Sequence, residues 1–181
     1  MSMLKPWTRC IPLCDESQTR GFSCGDDLVD LWFREHAWQA QRAGQCSTHV
    51  CLDDLGRVVA FYSFKHVTAR ATDMPSKSVA RGFDRDGNGA VLLLCWMGLS
   101  NDLRGHGYGK LLLREVAQMA RAAYVIAPFQ LLVLDSVPGM EGFYEHFGFV
   151  KALAPEHRYV MRMNRLIKIL ESMEHDTVVF E

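Results

Sequence analysis

An α/β or α+β sheet with helices on its faces is the architecture the sequence predicts, and three observations predict it. The second half alternates strand-like and helix-like segments, the first half holds a β-rich hairpin, and a glycine-rich turn joins a long apolar run to an amphipathic segment. Strands and helices that alternate in this way each have an apolar face to bury, and a sheet covered by helices buries them all. At 181 residues the chain is read as one domain, 1–181, long enough for a substantial core.

Each element has its own justification. Arg9–Leu13 predicts a short first strand. From Asp26 to Ala43, apolar Leu28, Leu31, Trp32, Ala37 and Ala40 recur with no proline or internal glycine, which predicts one amphipathic helix ending at Gly44. Thr48–Leu52 and Arg57–Phe64 flank the turn-forming tip Asp53-Asp54-Leu55-Gly56, the pattern of a hairpin. Lys65–Gly89 reads as irregular, with Pro75, Gly82 and the acidic, glycine-bearing tract 84–89; a loop of that length is usually functional or mobile. Ala90–Ser100 is the central strand, Gly107–Ala123 a helix, Gln130–Leu134 a strand and Gly139–Phe147 a helix. Val150–Ala152 and Arg158–Ile169 are expected to supply closing strands, and no repeat or low-complexity tract interrupts the chain.

Composition excludes several classes. Hydrophobic residues at 49% and charged residues at 23% are those of a globular chain. No apolar run approaches the ~18 residues of a membrane span, so no membrane partner is expected. Met1–Arg9 lacks the apolar segment of a signal peptide. The cysteines at 10, 14, 24, 46, 51 and 95 show neither Cys-x-x-Cys spacing nor paired histidines, so no metal site is expected. Cys51 and Cys95 lie in apolar strand-like runs and read as reduced thiols packed as small hydrophobes, which fits a reducing cytoplasm. A net charge of −1 does not advertise a polyanionic partner. Within it, however, 157–168 carries Arg158, Arg162, Arg165 and Lys168 with no acid, and 65–85 carries five basic residues against two acids. Such runs are most often solvated faces.

The residues with chemistry begin at the central strand. Leu92–Ser100, then Arg104-Gly105-His106-Gly107-Tyr108-Gly109-Lys110, read as a buried strand, a glycine-rich turn and a helix start. Without Cβ atoms, Gly105, Gly107 and Gly109 let the chain curl and aim successive N–H groups at one anion, and the helix adds the positive end of its dipole. The turn is neither a Walker loop nor a dinucleotide fingerprint, and alone it could be a plain surface turn. One strand and one helix later stands Phe143-Tyr144-Glu145-His146-Phe147-Gly148-Phe149.

Arg-x-x-Gly-x-Gly on a strand-to-helix turn, paired with Phe-Tyr-x-x-x-Gly-Phe, resembles the GNAT acyltransferases, which carry acyl-coenzyme A. The resemblance implies the GNAT fold, a mixed central β-sheet flanked by helices on both faces. It implies acetyl-CoA as co-substrate, with the pyrophosphate on the amides of Arg104, Gly105, His106, Gly107, Tyr108, Gly109 and Lys110. The pantetheine arm would run beside backbone groups of Met97 and Leu99 as an added strand does. Tyr144 would protonate the departing thiolate, as a phenol of pKa ~10 still holds its proton at neutral pH.

The N-terminal half narrows the resemblance. Phe22-Ser23-Cys24-Gly25, then Leu28, Trp32, Ala37, Gln41, Gly44 and Thr48, and the strand Arg57–Tyr62, are similar to the GNAT toxins of toxin–antitoxin pairs. Those enzymes acetylate the α-amine of aminoacyl-tRNA and stop translation, so the implied partners are aminoacyl-tRNA and a small antitoxin protein; a homodimer stays open. Three departures bear on the acceptor: Ser47 stands where an arginine is usual, 81–90 is acidic and glycine-rich rather than proline-rich, and the chain is not basic.

The central strand Val91–Leu99 has no carboxylate to serve as base. An alkyl ammonium at ~10.4 would need one, whereas an α-amine at ~7.7–8.0 is already partly neutral, which favours an α-amine acceptor. Asp135 is the fallback base through water, or else a helix-capping or loop carboxylate. Arg158 and Arg162 are candidate contacts to tRNA phosphates. His106 is expected to act through its backbone, His146 to sit at a helix end, and Trp32 and Trp96 to belong to the core. Cys95 lacks a flanking base or cation that would make it an acyl carrier. A small-molecule amine or peptide α-amine remains the alternative acceptor, and a non-catalytic acyl-CoA-binding module the alternative to an enzyme.

Overall fold

In the computed structural model, which describes residues 4–178, seven strands form one mixed sheet of order β1-β2-β3-β4-β5-β7-β6, flanked by helices. The strands are β1 Arg9–Pro12, β2 Ser47–Leu52, β3 Val58–Arg70, β4 Asn88–Leu99, β5 Leu131–Asp135, β6 Val150–Lys151 and β7 Arg158–Arg162. The helices are α1 Asp27–Glu35, α2 Ala37–Arg42, α3 Tyr108–Ile126, α4 Glu141–His146 and α5 Met163–Val178. Contacts group the chain into two units, Met1–Lys65 with Leu94–Val116, and His66–Leu93 with Ala117–Glu181. No helix among the described residues is long and apolar enough to cross a membrane.

In the first unit, β1 and β2 pair antiparallel from Arg9↔Leu52 to Pro12↔His49, and β2 continues antiparallel onto β3. Its core gathers Leu13, Phe22, Phe33, Ala37, Val50, Leu52 and Phe61. Asp26 starts α1 by accepting from the amides of Leu28 and Val29, the work of an N-cap carboxylate. The single helix expected over 26–43 is broken at His36, whose φ of −122° leaves the helical region. On a straight helix Trp38 would lie about 240° round from Trp32. The break lets Trp32, Phe33, Ala37 and Trp38 pack on one core. Leu28 and Leu31, expected on the buried face, are 65% and 50% exposed, because Asp30 turns inward to bond the chain at 23–24 and rotates them out.

Cys51 corrects the reading of its thiol as reduced. Register places it opposite Cys10 with their Cα atoms 4.1 Å apart, and a disulfide joins them. Spacing alone could not show this pairing, since it depends on how β1 registers on β2. Cysteine usage therefore no longer argues for a reducing compartment.

In the second unit, β5 and β7 pair antiparallel from Leu131↔Arg162 to Asp135↔Arg158, and β6 adds Val150↔Val160 at the edge. The closing strand expected to reach Ile169 stops at Arg162. From Met163 the buried residues are Met163, Leu166 and Leu170, a helical spacing, and the chain continues as α5. The stretch read as irregular from Lys65 is strand as far as Arg70. Its acidic tract is an ordered turn, in which the Asp84 carboxylate accepts from the amides of Asp86 and Asn88 at 2.9 and 2.8 Å.

Candidate active site

The first unit carries the glycine turn. The end of β4 is held when the Ser100 amide donates to the Val59 carbonyl at 2.8 Å. Gly98 is buried there because Phe61 and Phe22 leave no room: an added Cβ would lie 2.6 Å from one ring and 3.2 Å from the other. Met97 and Leu99 flank it half-buried, on the face opposite those rings. A 3-10 turn, Asn101–Leu103, then leads into Arg104. Gly105 and Gly107 take φ of +77° and +80°, the left-handed region in which a side chain is strained. Arg104, Gly105, His106, Gly107 and Lys110 are exposed, while Tyr108 and Gly109 are half-buried in the first turn of α3. The amides of Gly105, His106 and Gly107 donate to no backbone group among the described residues. Two left-handed glycines with open amides ahead of a 19-residue helix make a partly positive turn suited to an anion. The His106 ring lies 6.0 Å from that of Tyr108, outside the core.

A brace that the sequence did not advertise supports this turn. Asp30, 4% exposed, accepts from the Ser23 hydroxyl and the Cys24 amide, both at 2.7 Å. Burial pushes its carboxyl up, but the bonds from Cys24 and Ser23 outweigh burial and leave it below the ordinary carboxylate range. The same burial, with Asp30 beside it, pushes the Cys24 thiol up to about 11, against the opposing charge of Arg104. Next along the chain, the Ser23 carbonyl accepts from the Asn101 amide at 3.0 Å. Gly25, at φ +78°, lies so near Asn101 that a Cβ would come within 2.5 Å of its side-chain oxygen. Phe22-Ser23-Cys24-Gly25 thus seats the base of the glycine turn, with Asp30 as its anchor. Trp32 and Trp96, expected in the core, are half-buried rings that stack at 4.8 Å and pack against the core of this unit.

Tyr144 belongs to the second unit, on α4. The Gly148 amide donates to the Glu145 carbonyl at 2.9 Å, and the Phe149 amide to the Tyr144 carbonyl at 3.2 Å. With Gly148 at φ +92°, these bonds form a Schellman close. Phe149 returns onto the Tyr144 ring at 6.1 Å, and Phe143 meets it at 5.2 Å. The glycine and second phenylalanine of the motif therefore fix the tyrosine. Tyr144 is 8% exposed, and burial raises its phenol above the ordinary value, so the proton stays on at neutral pH.

Asp135 and Arg158 neutralise each other. The Arg158 guanidinium donates to both carboxylate oxygens at 2.8 and 2.9 Å, so Asp135, the last residue of β5, stands as a paired carboxylate at the strand end. Arg162, four residues along β7, is half-buried and lines a different part of the unit. His146 closes α4 as expected. No group of three or more His, Cys, Asp or Glu able to hold a metal occurs among the described residues.

Residues 44–151 match the acetyltransferase (GNAT) domain family. Among solved structures, AtaT complexed with acetyl-methionyl-tRNAfMet is similar over 90% of this chain and 98% of its own, at 17% identity and a TM-score of 0.79. A tyrosine-to-phenylalanine mutant of KacT is similar over 89% of this chain and 98% of its own, at 15% identity and a TM-score of 0.79. AtaTR bound with acetyl-CoA aligns over 89% and 96%, at 17% identity and a TM-score of 0.76.

Proposed function

The chain belongs to the GNAT acetyltransferase family, and from that premise we propose that it moves an acetyl group from acetyl-CoA to the α-amine of an aminoacyl-tRNA, as a toxin countered by a small antitoxin. The observation that carries the coenzyme half is the open-amide turn at Gly105–Gly107 ahead of α3. The acceptor half is supported by two solved relatives in fold: AtaT with acetyl-methionyl-tRNAfMet, and AtaT with the C-terminus of the antitoxin AtaR and acetyl-CoA. It is supported too by β4, which between Val91 and Leu99 has no carboxylate to deprotonate an alkyl ammonium.

The proposed residue roles follow. Amides of the turn 104–110 hold the pyrophosphate, and backbone groups at Met97 and Leu99 guide the pantetheine arm. The neutral α-amine attacks the thioester carbonyl carbon; the C–S bond breaks, the thiolate takes the Tyr144 proton, and the new amide nitrogen gives its surplus proton to solvent. Asp135, held by Arg158, is left out of this sequence.

The test is transfer of labelled acetyl from acetyl-CoA to charged tRNA, deacylated tRNA and simple amines across a salt series. Label on charged tRNA alone, declining as salt rises, is the expected result. Rapid acetylation of simple amines with none on any charged tRNA would overturn the acceptor and leave a small-amine enzyme.

A further inference from the structure

The second unit contains a cavity of about 200 Å³ where β5 begins and β7 ends, lined by Arg81, Tyr124, Gln130, Arg162 and Asn164. It is smaller than the ~300 Å³ at which small-molecule sites usually start, and of a size for one phosphate-bearing group. Its lining has two arginines and no acid. Neither arginine forms an ion pair among the described residues, although Arg158 on the same strand as Arg162 is bound bidentately. A half-buried guanidinium such as that of Arg162 costs desolvation free energy, which a bound anion offsets. Gln130 adds a second signal. Its side-chain oxygen is buried without a hydrogen-bond partner, an acceptor in want of a donor.

From this combination we infer that the cavity is a ribose-phosphate subsite for RNA. A backbone phosphate sits between Arg81 and Arg162, and the neighbouring 2′-hydroxyl donates to the Gln130 side-chain oxygen once that buried amide turns outward to the cavity. Tyr124, whose ring meets Phe129 edge-on at 5.7 Å, gives the sugar an apolar wall. The inference rests on the tRNA reading of the acceptor and adds a contact to it. By strand rise, the four steps from Leu131 to Asp135 put this cavity about 14 Å along β5 from the Asp135–Arg158 pair.

The experiment compares the full-length protein with an Arg81→Gln/Arg162→Gln variant and with Lys168→Gln, an exposed basic residue of the same run outside the cavity. Deacylated tRNA, a DNA of the same sequence, inorganic phosphate and acetyl-CoA are the probes, with thermal melting to confirm folding. The expected result is about a tenfold loss of tRNA affinity at low salt in the double variant, with a salt slope shallower by roughly one contact. Acetyl-CoA affinity and the Lys168→Gln variant should stay near wild type. Gln130→Met should narrow the preference for RNA over DNA. Unchanged tRNA affinity in a folded double variant would overturn the inference. So would loss of inorganic phosphate binding alone, which would assign the cavity to a free anion. Failure of the acceptor reading looks different: the wild type would bind tRNA through the cavity yet acetylate none of it.

Discussion

The glycine turn of the first unit and the basic run of the second were both legible as contiguous sequence, but folding treated them oppositely. Arg104–Lys110 remains a single local device, because the role proposed for it needs only backbone amides and the φ angles fixed by Gly105 and Gly107. The four cations of 158–168 are dispersed. Arg158 is bound by Asp135, Arg162 lines a cavity, Arg165 lies across Gly148 and Lys168 stands exposed on α5. A backbone signature survives folding because its neighbours in sequence are its neighbours in space. A charge signature depends on partners that sequence does not reveal.

Tyr144, whose place is fixed by its local Schellman close, offers the most severe challenge to this contrast. Tyr144→Phe keeps the ring and its packing and removes the proton, so kcat should fall by ~10²–10⁴ with acetyl-CoA affinity kept. Because burial raises the phenol, no alkaline limb from loss of this proton should appear below about pH 10. A kcat limb near neutral pH that disappears in the phenylalanine variant would contradict the assignment of a raised phenol.

Gly107→Val attacks the backbone signature itself. A β-branched side chain at φ +80° is strained and re-aims the amides, so the acetyl-CoA dissociation constant should rise at least about tenfold, or 1.4 kcal/mol. Calorimetry on a folded variant with unchanged affinity would show that the turn is not the anion site.

Asp30→Asn tests whether the brace acts on the turn. The amide cannot accept from both Ser23 and Cys24 as the carboxylate does, so KM for acetyl-CoA should rise roughly three- to tenfold while kcat holds. Equal losses in kcat and thermal stability, with KM unchanged, would make Asp30 a residue of fold alone.

The smallest effect separates two arginines on one strand. Arg158→Gln should lower stability by about 1 kcal/mol, discounted because Asp135 is half exposed, and leave transfer rates near wild type. Arg162→Gln should leave the melting temperature unmoved. Equal stability losses would mean that the partners of the two arginines differ less than their geometry shows.

Sequence periodicity sufficed for the central strand, α3, β5 and the hairpin, where one apolar face recurs at a clear spacing. It failed where tertiary contacts decide. The break at His36 exists to turn Trp38 onto the core, and the outward leucines of α1 follow from an inward Asp30. The Cys10–Cys51 pair follows from strand register. The left-handed glycines of the turn and the close of α4 around Tyr144 were readable because motif spacing expresses local geometry. Asp30 was not, since an aspartate within a helix pattern looks like any solvated residue. A buried, hydrogen-bonding role shows only when the chain at 23–24 is seen to close over it.

Acetyl transfer to an aminoacyl α-amine through Tyr144 is tested most directly by mass spectrometry of the amino acid released from charged tRNA, after incubation with acetyl-CoA and either wild type or Tyr144→Phe. The wild type should yield an Nα-acetyl amino acid, and the variant should form it at least about 100-fold more slowly. A charged tRNA whose amino acid stays unmodified while the wild type acetylates free amines would contradict this assignment.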